Sequence, residues 1–174
     1  MIVISHRGYW KTPDEKNKPV AFHRSFDLGY GTETDVRDLK RMGFNRMSLG
    51  VQDFDARVLE IVNRVQGEAE VRRVVDDARD LGFTSVGFDL IYGLPKQTLV
   101  SFERTLKRVI EVAPDRVAVY NYAHIPSLFK PQQRIRETDL PSPDTRLKLL
   151  TMAINLLTGA GYQYIGMDHF ALPD

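Results

Sequence analysis

Hydrophobic and polar residues along the chain follow two periods, one typical of strands and one typical of helices. The strand period is clearest in residues 83–95, FTSVGFDLIYGLP, which end in a Gly-Leu-Pro turn. Alternation places large apolar side chains on one face of this segment. The opposite face carries the residues Gly87, Asp89, Ile91 and Gly93. This second face leaves room for a ligand, because glycine has no side chain to fill the space.

Strands and helices are predicted to alternate along most of the chain. The predicted strands are residues 2–5, 30–36, 44–54, 83–92, 116–124 and 162–170. The predicted helices are residues 19–28, a segment after Asp55, residues 68–81, a segment after Thr98 and a segment after Ser142. In the last helix, the residues predicted to face inward are Leu147, Leu150, Ala153, Ile154 and Leu157. The predicted fold class is therefore α/β, a partial (β/α) barrel of parallel strands with outer helices.

Two features of this pattern depart from a complete barrel. The connection between the predicted strands at 30–36 and 44–54 is short, because only residues 37–43 separate them. A parallel crossover usually needs a dozen or more residues. The six predicted strands are also fewer than the eight of a closed barrel, which leaves sheet edges open. We therefore expect self-association through these edges.

Composition excludes several classes of protein. The 174 residues predict a single domain, and 24 Lys and Arg against 23 Asp and Glu, without a long basic run, give no sign of nucleic-acid binding. No apolar run is long enough for a membrane span or a signal peptide, which predicts a cytoplasmic protein. The absence of cysteine excludes disulfides, thiol nucleophiles and cysteine-held clusters within this chain.

Acidic residues on two predicted strands are candidate binding groups. Asp89 lies among glycines, where it either faces a ligand or is satisfied by local backbone donors. Glu33 and Asp35 lie two residues apart on one strand face, where they either bind a cation or are solvated. His124 and His169 either contact a substrate or simply end strands. Residue type and spacing leave these alternatives open.

Five segments of residues 43–174 carry a family resemblance. They read GFNRMSLGVQDFD, IVNRVQ, GFTSVGFDLIYGLPKQT, PDRVAVYNYAHIP and GYQYIGMDHFALPD. Together they resemble the oxygen-independent coproporphyrinogen III dehydrogenase family, radical S-adenosylmethionine (SAM) enzymes that decarboxylate a porphyrin precursor in haem biosynthesis. The resemblance implies that SAM and a porphyrin are the small-molecule ligands. It also implies that the SAM-binding residues are Gln52, Arg64, Asp89 and Ala123.

The resemblance also implies an iron–sulfur cluster of the 4Fe-4S type, held by cysteines. This chain has none, so we expect it not to catalyse the family reaction alone.

Residues 1–38 resemble another family. The segments ISHRGYW and GYGTETDVRD are similar to the start of glycerophosphodiester phosphodiesterases, which are metal-dependent barrels. This resemblance implies that His6 is catalytic, that Arg7 contacts a phosphate, and that Glu33 and Asp35 bind a divalent cation. The second catalytic histidine of that family has no counterpart here, so little hydrolysis is expected. The two resemblances together predict a single composite domain over 1–174, assembled from pieces 1–38 and 43–174. A barrel scaffold without activity is the third alternative.

Overall fold

The computed structural model describes residues 4–6, 11, 12, 14, 31–33, 36–64 and 66–173, with backbone alone for 4–6 and 31–33. In this part of the chain the strands are Ile4–His6 (β1), Gly31–Glu33 (β2), Arg46–Gln52 (β3), Ser85–Tyr92 (β4), Arg116–Asn121 (β5), Gln163–Gly166 (β6) and His169–Ala171 (β7). The α-helices are Val36–Arg41 (α1), Ala56–Ile61 (α2), Glu68–Asp80 (α3), Leu99–Val112 (α4) and Pro143–Gly159 (α5). Two short 3₁₀ helices are Lys130–Arg134 and Glu137–Asp139. This order of strands and helices confirms the α/β fold class.

The chain divides into two compact units, Met1–Asn45 with Asp76–Thr84 and Arg46–Val75 with Ser85–Asp174. In the first unit, β1 and β2 pair in parallel, and the backbone of His6 lies opposite Glu33. The connection predicted over residues 37–43 contains most of the helix α1. The predicted helix at 19–28 lies outside the described residues. The single composite domain stays a prediction.

The second unit contains a five-stranded sheet in the order β3-β4-β5-β7-β6. The strands β3, β4 and β5 are parallel, as predicted, whereas β7 runs antiparallel to both β5 and β6. The prediction of one parallel strand over residues 162–170 was therefore wrong. The chain reverses there because Met167 and Asp168 have φ values of +46° and +69°, the backbone sign of a two-residue type I′ hairpin turn.

The core of the second unit lies between the apolar face of the sheet and two helices. Its fully buried side chains include Val86, Phe88 and Leu90 of β4, Phe102, Leu106 and Val109 of α4, and Leu149, Ala153 and Leu157 of α5. Leu147, which was predicted to face inward, is 65% exposed. On the opposite face of the sheet Asp89 and Ile91 are half-buried, and Ile91 packs against an apolar cluster that contains Val58 of α2.

Local signals fix where the helices begin. Asp55 accepts a hydrogen bond from the backbone of Arg57, and Thr98 forms a capping box with Ser101. Ser142 caps α5 through the backbone of Thr145. These three caps confirm the predicted helix starts. None of the helices in the described residues is both long enough and apolar enough to cross a membrane.

The predicted turn at the end of β4 is also present. Gly93 follows the strand with φ of +82°, and an added Cβ there would lie 3.4 Å from Cγ of Arg146. Glycine therefore suits both the backbone and the close approach of Arg146. This turn carries the chain from β4 towards α4.

Candidate functional site

A hydrogen-bonded pair lies on the polar face of the sheet, on the neighbouring strands β3 and β4. Ser48 Oγ donates to Asp89 Oδ1 at 3.0 Å, and Asp89 is half-buried. In the strand register Asp89 lies between Gly50 of β3 and Ala118 of β5. Among the described residues, neither a side chain nor a backbone group donates to Asp89 Oδ2. Asp89 therefore has an oxygen that can accept from a ligand.

Gly50 allows two further polar groups to lie over β3. An added Cβ on Gly50 would be 2.7 Å from Nε2 of Gln52 and 3.1 Å from Nη2 of Arg64. Contacts of this length would force the amide and the guanidinium to move. The Arg64 side chain also donates from Nε to Oε1 of Gln66 at 3.3 Å. The Gln52 amide and the Arg64 guanidinium therefore lie together over Gly50, on the strand next to the one that carries Asp89.

Gln52 reaches this position through an unusual backbone conformation. Its φ is +65°, and the amide of Asp53 donates to the carbonyl of Val51 at 2.8 Å. An i to i+2 hydrogen bond around a residue of positive φ is a rare and strained γ-turn. The register also shifts between Gly50 and Gln52. The simple alternation used to place Gln52 is therefore interrupted by a bulge, although its amide still lies over Gly50.

The residue after this turn is a fully buried carboxylate. Asp53 is 0% exposed and accepts from the backbone amides of Phe54 at 2.6 Å and Asp55 at 2.9 Å. It also accepts from Nε2 of Gln97 at 2.6 Å and from the hydroxyl of Thr105. Burial raises the pKa of Asp53 above its ordinary value, and these four hydrogen bonds oppose the rise. The network anchors the end of β3 directly after Gln52.

Gln97 extends this network to the end of β4. Its Oε1 accepts from the amide of Gly93 at 2.6 Å, and its Nε2 also donates to the carbonyl of Ile91 at 3.0 Å. One buried side chain therefore ties Asp53 to the Gly93 turn. The carboxyl ends of β3 and β4 are held together in this way.

A cavity of about 960 Å³ lies over the polar face in the second unit. Ser48, Gly87 and Asp89 line one side, and Tyr120 and His169 line another. The turn between β6 and β7 also borders it. This volume lies at the upper end of the range of small-molecule sites.

The structure brings three of the four predicted SAM-binding residues into one neighbourhood. Gln52 and Arg64 lie over Gly50, and Asp89 is the register partner of Gly50. Ala123 lies two residues beyond β5, is exposed, and its carbonyl accepts from Nε2 of Gln132 at 2.9 Å. No contact joins Ala123 to the other three among the described residues.

The predicted phosphodiesterase site falls mostly outside the described residues. Arg7 and Asp35 are not among them, and His6 and Glu33 are described by their backbone alone. Within the described residues, no group of three or more His, Cys, Asp or Glu side chains could hold a metal ion. His124 lies with Nδ1 at 3.5 Å from the hydroxyl of Tyr122.

The sequence reasoning missed the buried network and one cavity residue. Asp53 precedes the predicted cap Asp55, but its partners Gln97 and Thr105 follow 44 and 52 residues later. No local pattern joins residues that far apart. Tyr120 had a usable signal, because alternation from Ala118 places it on the polar face of β5.

This sheet and its polar face belong to a recognisable class. The sequence model of the radical SAM superfamily matches residues 15–109, more than half of the chain. The chain belongs to the radical SAM superfamily. Members of this superfamily use SAM with a 4Fe-4S cluster.

Curated relatives indicate which enzymes of this superfamily the chain is similar to. The chain is 54% identical over 153 residues to the oxygen-independent coproporphyrinogen III oxidase of Pseudomonas aeruginosa, covering 83% of this chain and 33% of that protein. It is 55% identical over 143 residues to the Escherichia coli protein of the same name, covering 82% and 31%. The chain thus spans about a third of the length of these relatives.

Solved structures agree with this assignment. The coproporphyrinogen III oxidase from Escherichia coli, a radical SAM enzyme, matches with a TM-score of 0.81 at 44% identity, covering 94% of this chain and 42% of that one. The archaeal Elp3 of Methanocaldococcus infernus matches with a TM-score of 0.56 at 17% identity, over 68% of this chain and 28% of that one, which supports the fold alone. The superfamily match crosses the postulated join at residues 38–43. The composite chain and the phosphodiesterase alternative find no support in these comparisons.

Proposed function

We propose that this chain binds SAM on the polar face of β3, β4 and β5, as part of a protein that oxidises coproporphyrinogen III in haem biosynthesis. The observation that carries the proposal is the cradle at Gly50, where Gln52 and Arg64 approach closely beside the open oxygen of Asp89. The names of the curated relatives support the choice of reaction.

Each of these side chains has a donor or acceptor that suits SAM. Asp89 Oδ2 can accept from the ribose hydroxyls, because Ser48 occupies only Oδ1. The Arg64 guanidinium can bind the methionyl carboxylate in a charge-assisted hydrogen bond, and the Gln52 amide can add a second donor. Ala123 offers its backbone only. When bound, SAM supplies radical chemistry after its reduction.

The residues of this chain do not fit the cluster that reduces SAM. A 4Fe-4S cluster is held by cysteine thiolates, and the sequence has no cysteine. The proposed role of this chain is therefore binding and orientation, and it is not competent for the reaction by itself. A cytoplasmic location and self-association through sheet edges stay predictions.

Calorimetric titration with SAM tests the proposal. We expect saturable binding by the chain, and Asp89→Asn should weaken it by roughly tenfold to a hundredfold, because a hydrogen bond to a charged group contributes about 1.5–3 kcal/mol. Asp76→Asn is the matched control, since Asp76 is an exposed residue of α3. A folded chain that does not bind SAM would contradict the proposal, as would equal affinities of the Asp89 and Asp76 variants.

A further inference from the structure

The wall of the cavity opposite Asp89 is built by a strained turn. Met167 and Asp168 both have positive φ, a conformation that type I′ turns require and that Asn and Gly normally supply. Met167 is 89% exposed, so burial of its side chain does not explain the conformation. Strained residues of this kind persist where the surrounding structure holds them, and they cluster at functional sites.

The turn is held by the side chain of His169. Nδ1 of His169 lies 2.6 Å from the carbonyl oxygen of Met167. A carbonyl can only accept, so Nδ1 carries the proton in this bond. In the neutral ring Nε2 is then the acceptor, and the turn fixes which nitrogen is available to a ligand.

Nε2 of His169 faces Tyr120 without a tight bond. The Tyr120 hydroxyl oxygen is 3.5 Å from Nε2, and the two rings meet edge to face with centroids 5.8 Å apart. This separation exceeds the usual length of a hydrogen bond from a hydroxyl. Tyr120 is 40% exposed and lines the same cavity. Both polar atoms are therefore accessible to a ligand.

The strand register places this pair in line with the SAM candidate site. Asp89 lies opposite Ala118, and Ala118 lies opposite His169, on three adjacent strands. Adjacent strands are about 4.8 Å apart, so Asp89 and His169 are separated by roughly 10 Å across the small side chain of Ala118. Asp89 and His169 can therefore contact two different ligands, one on each side of the cavity.

We propose that Tyr120 and His169 form a second subsite that binds the tetrapyrrole substrate, an inference that rests on the proposed function. The Tyr120 hydroxyl donates to a carboxylate of the substrate, and His169 Nε2 accepts from a pyrrole N–H. Ile165 and Met167, which are 64% and 89% exposed, provide apolar surface for the ring. Among the charged residues of the lining, Arg116 can pair with a carboxylate of the substrate, and Asp89 and Asp168 are acidic.

Fluorescence titration with coproporphyrin III, a stable tetrapyrrole with four carboxylates, tests this subsite. Tyr120→Phe and His169→Asn should each weaken coproporphyrin binding by about tenfold and leave the SAM affinity within about twofold of the original value. Asn can replace Nδ1 as the donor to Met167 but has no atom at the place of Nε2. His169→Gln, which places a polar atom near Nε2, should restore part of the affinity.

Tyr164→Phe is the matched control, because Tyr164 lies on the same hairpin, is 49% exposed and packs against Phe170, but is not itself a residue of the cavity lining. It should change neither affinity. Coproporphyrin binding that is unaffected by both Tyr120→Phe and His169→Asn would overturn the subsite, and so would a chain without saturable coproporphyrin binding. Loss of coproporphyrin affinity in these variants of a chain that fails to bind SAM would support the subsite while refuting the proposed SAM site.

Discussion

Two carboxylates on neighbouring strand segments have opposite surroundings. Asp53, just after β3, is 0% exposed and accepts from four protein donors. Asp89, within β4, is half-buried and accepts only from Ser48 among the described residues. The hydrogen-bonding capacity of Asp53 is filled by the protein itself, whereas the open oxygen of Asp89 is available to a ligand.

The two regions are nevertheless connected. Asp53 closes the γ-turn that directs Gln52 over Gly50, and Gln97 ties Asp53 to the turn after β4. Asp53, whose hydrogen-bonding capacity is filled, therefore holds together the ends of β3 and β4, the two strands that carry Gln52 and Asp89. Substitutions in the two regions should therefore separate stability from binding.

The largest effect is expected from Asp53→Ala. This change removes the acceptor of the Asp55 amide and of the Thr105 hydroxyl, and each buried donor without a partner costs about 1–3 kcal/mol. It also removes one of the two acceptors of the Phe54 amide and of Gln97 Nε2. We expect the free energy of unfolding to fall by at least about 3 kcal/mol. Urea denaturation measures it, with Asp76→Ala as the exposed control, which should stay within about 0.5 kcal/mol. A loss below about 1 kcal/mol would show that water satisfies these donors.

Gln52→Gly should produce the reverse result, a small change in stability with a clear loss of SAM binding. Glycine relieves the positive φ of +65° but adds freedom to the unfolded chain, so the free energy of unfolding should change by no more than about 1 kcal/mol. The loss of one amide contact should weaken SAM binding by about fivefold to tenfold in calorimetry.

Lys96→Gly is the control for this substitution, because Lys96 also has a positive φ, of +58°, and is not one of the residues that approach Gly50. It should leave the SAM affinity unchanged. Equal affinities of the Gln52 and Lys96 variants would show that the strained turn has no part in binding.

Sequence patterns predicted much of the fold, because the relevant physics was local. Alternation identified the polar face of β4, and Asp55, Thr98 and Ser142 each cap a helix where a capping residue precedes an apolar stripe. Asp89 was singled out because neighbouring glycines leave space beside it. These signals depend on residues within a few positions of one another.

The failures occurred where local patterns were ambiguous or the determinants were distant. Leucines occur at many adjacent positions of α5, so more than one face could be buried, and Leu149 is buried where Leu147 was expected. The hairpin was missed because its turn is Met-Asp, without the Asn-Gly signature. The contact of Asp53 with Thr105 crosses 52 residues, and no sequence period extends that far.

The smallest expected effect is a pH dependence that belongs to Asp53. Burial raises its pKa above the ordinary value of 3.8, so the folded chain binds this proton more tightly than the unfolded chain does. The contribution of Asp53 to the free energy of unfolding should therefore decrease as the pH rises from about 3.8 through the raised pKa. Asp53→Asn does not titrate, so the unfolding free energy of the original chain minus that of the variant should be larger at the acidic end of this window. Urea denaturation of both proteins across the window measures this difference. A difference that stays constant would contradict the raised pKa. It would show that the four hydrogen bonds fully offset the cost of burial, so that the pKa of Asp53 is the same in the folded and the unfolded chain.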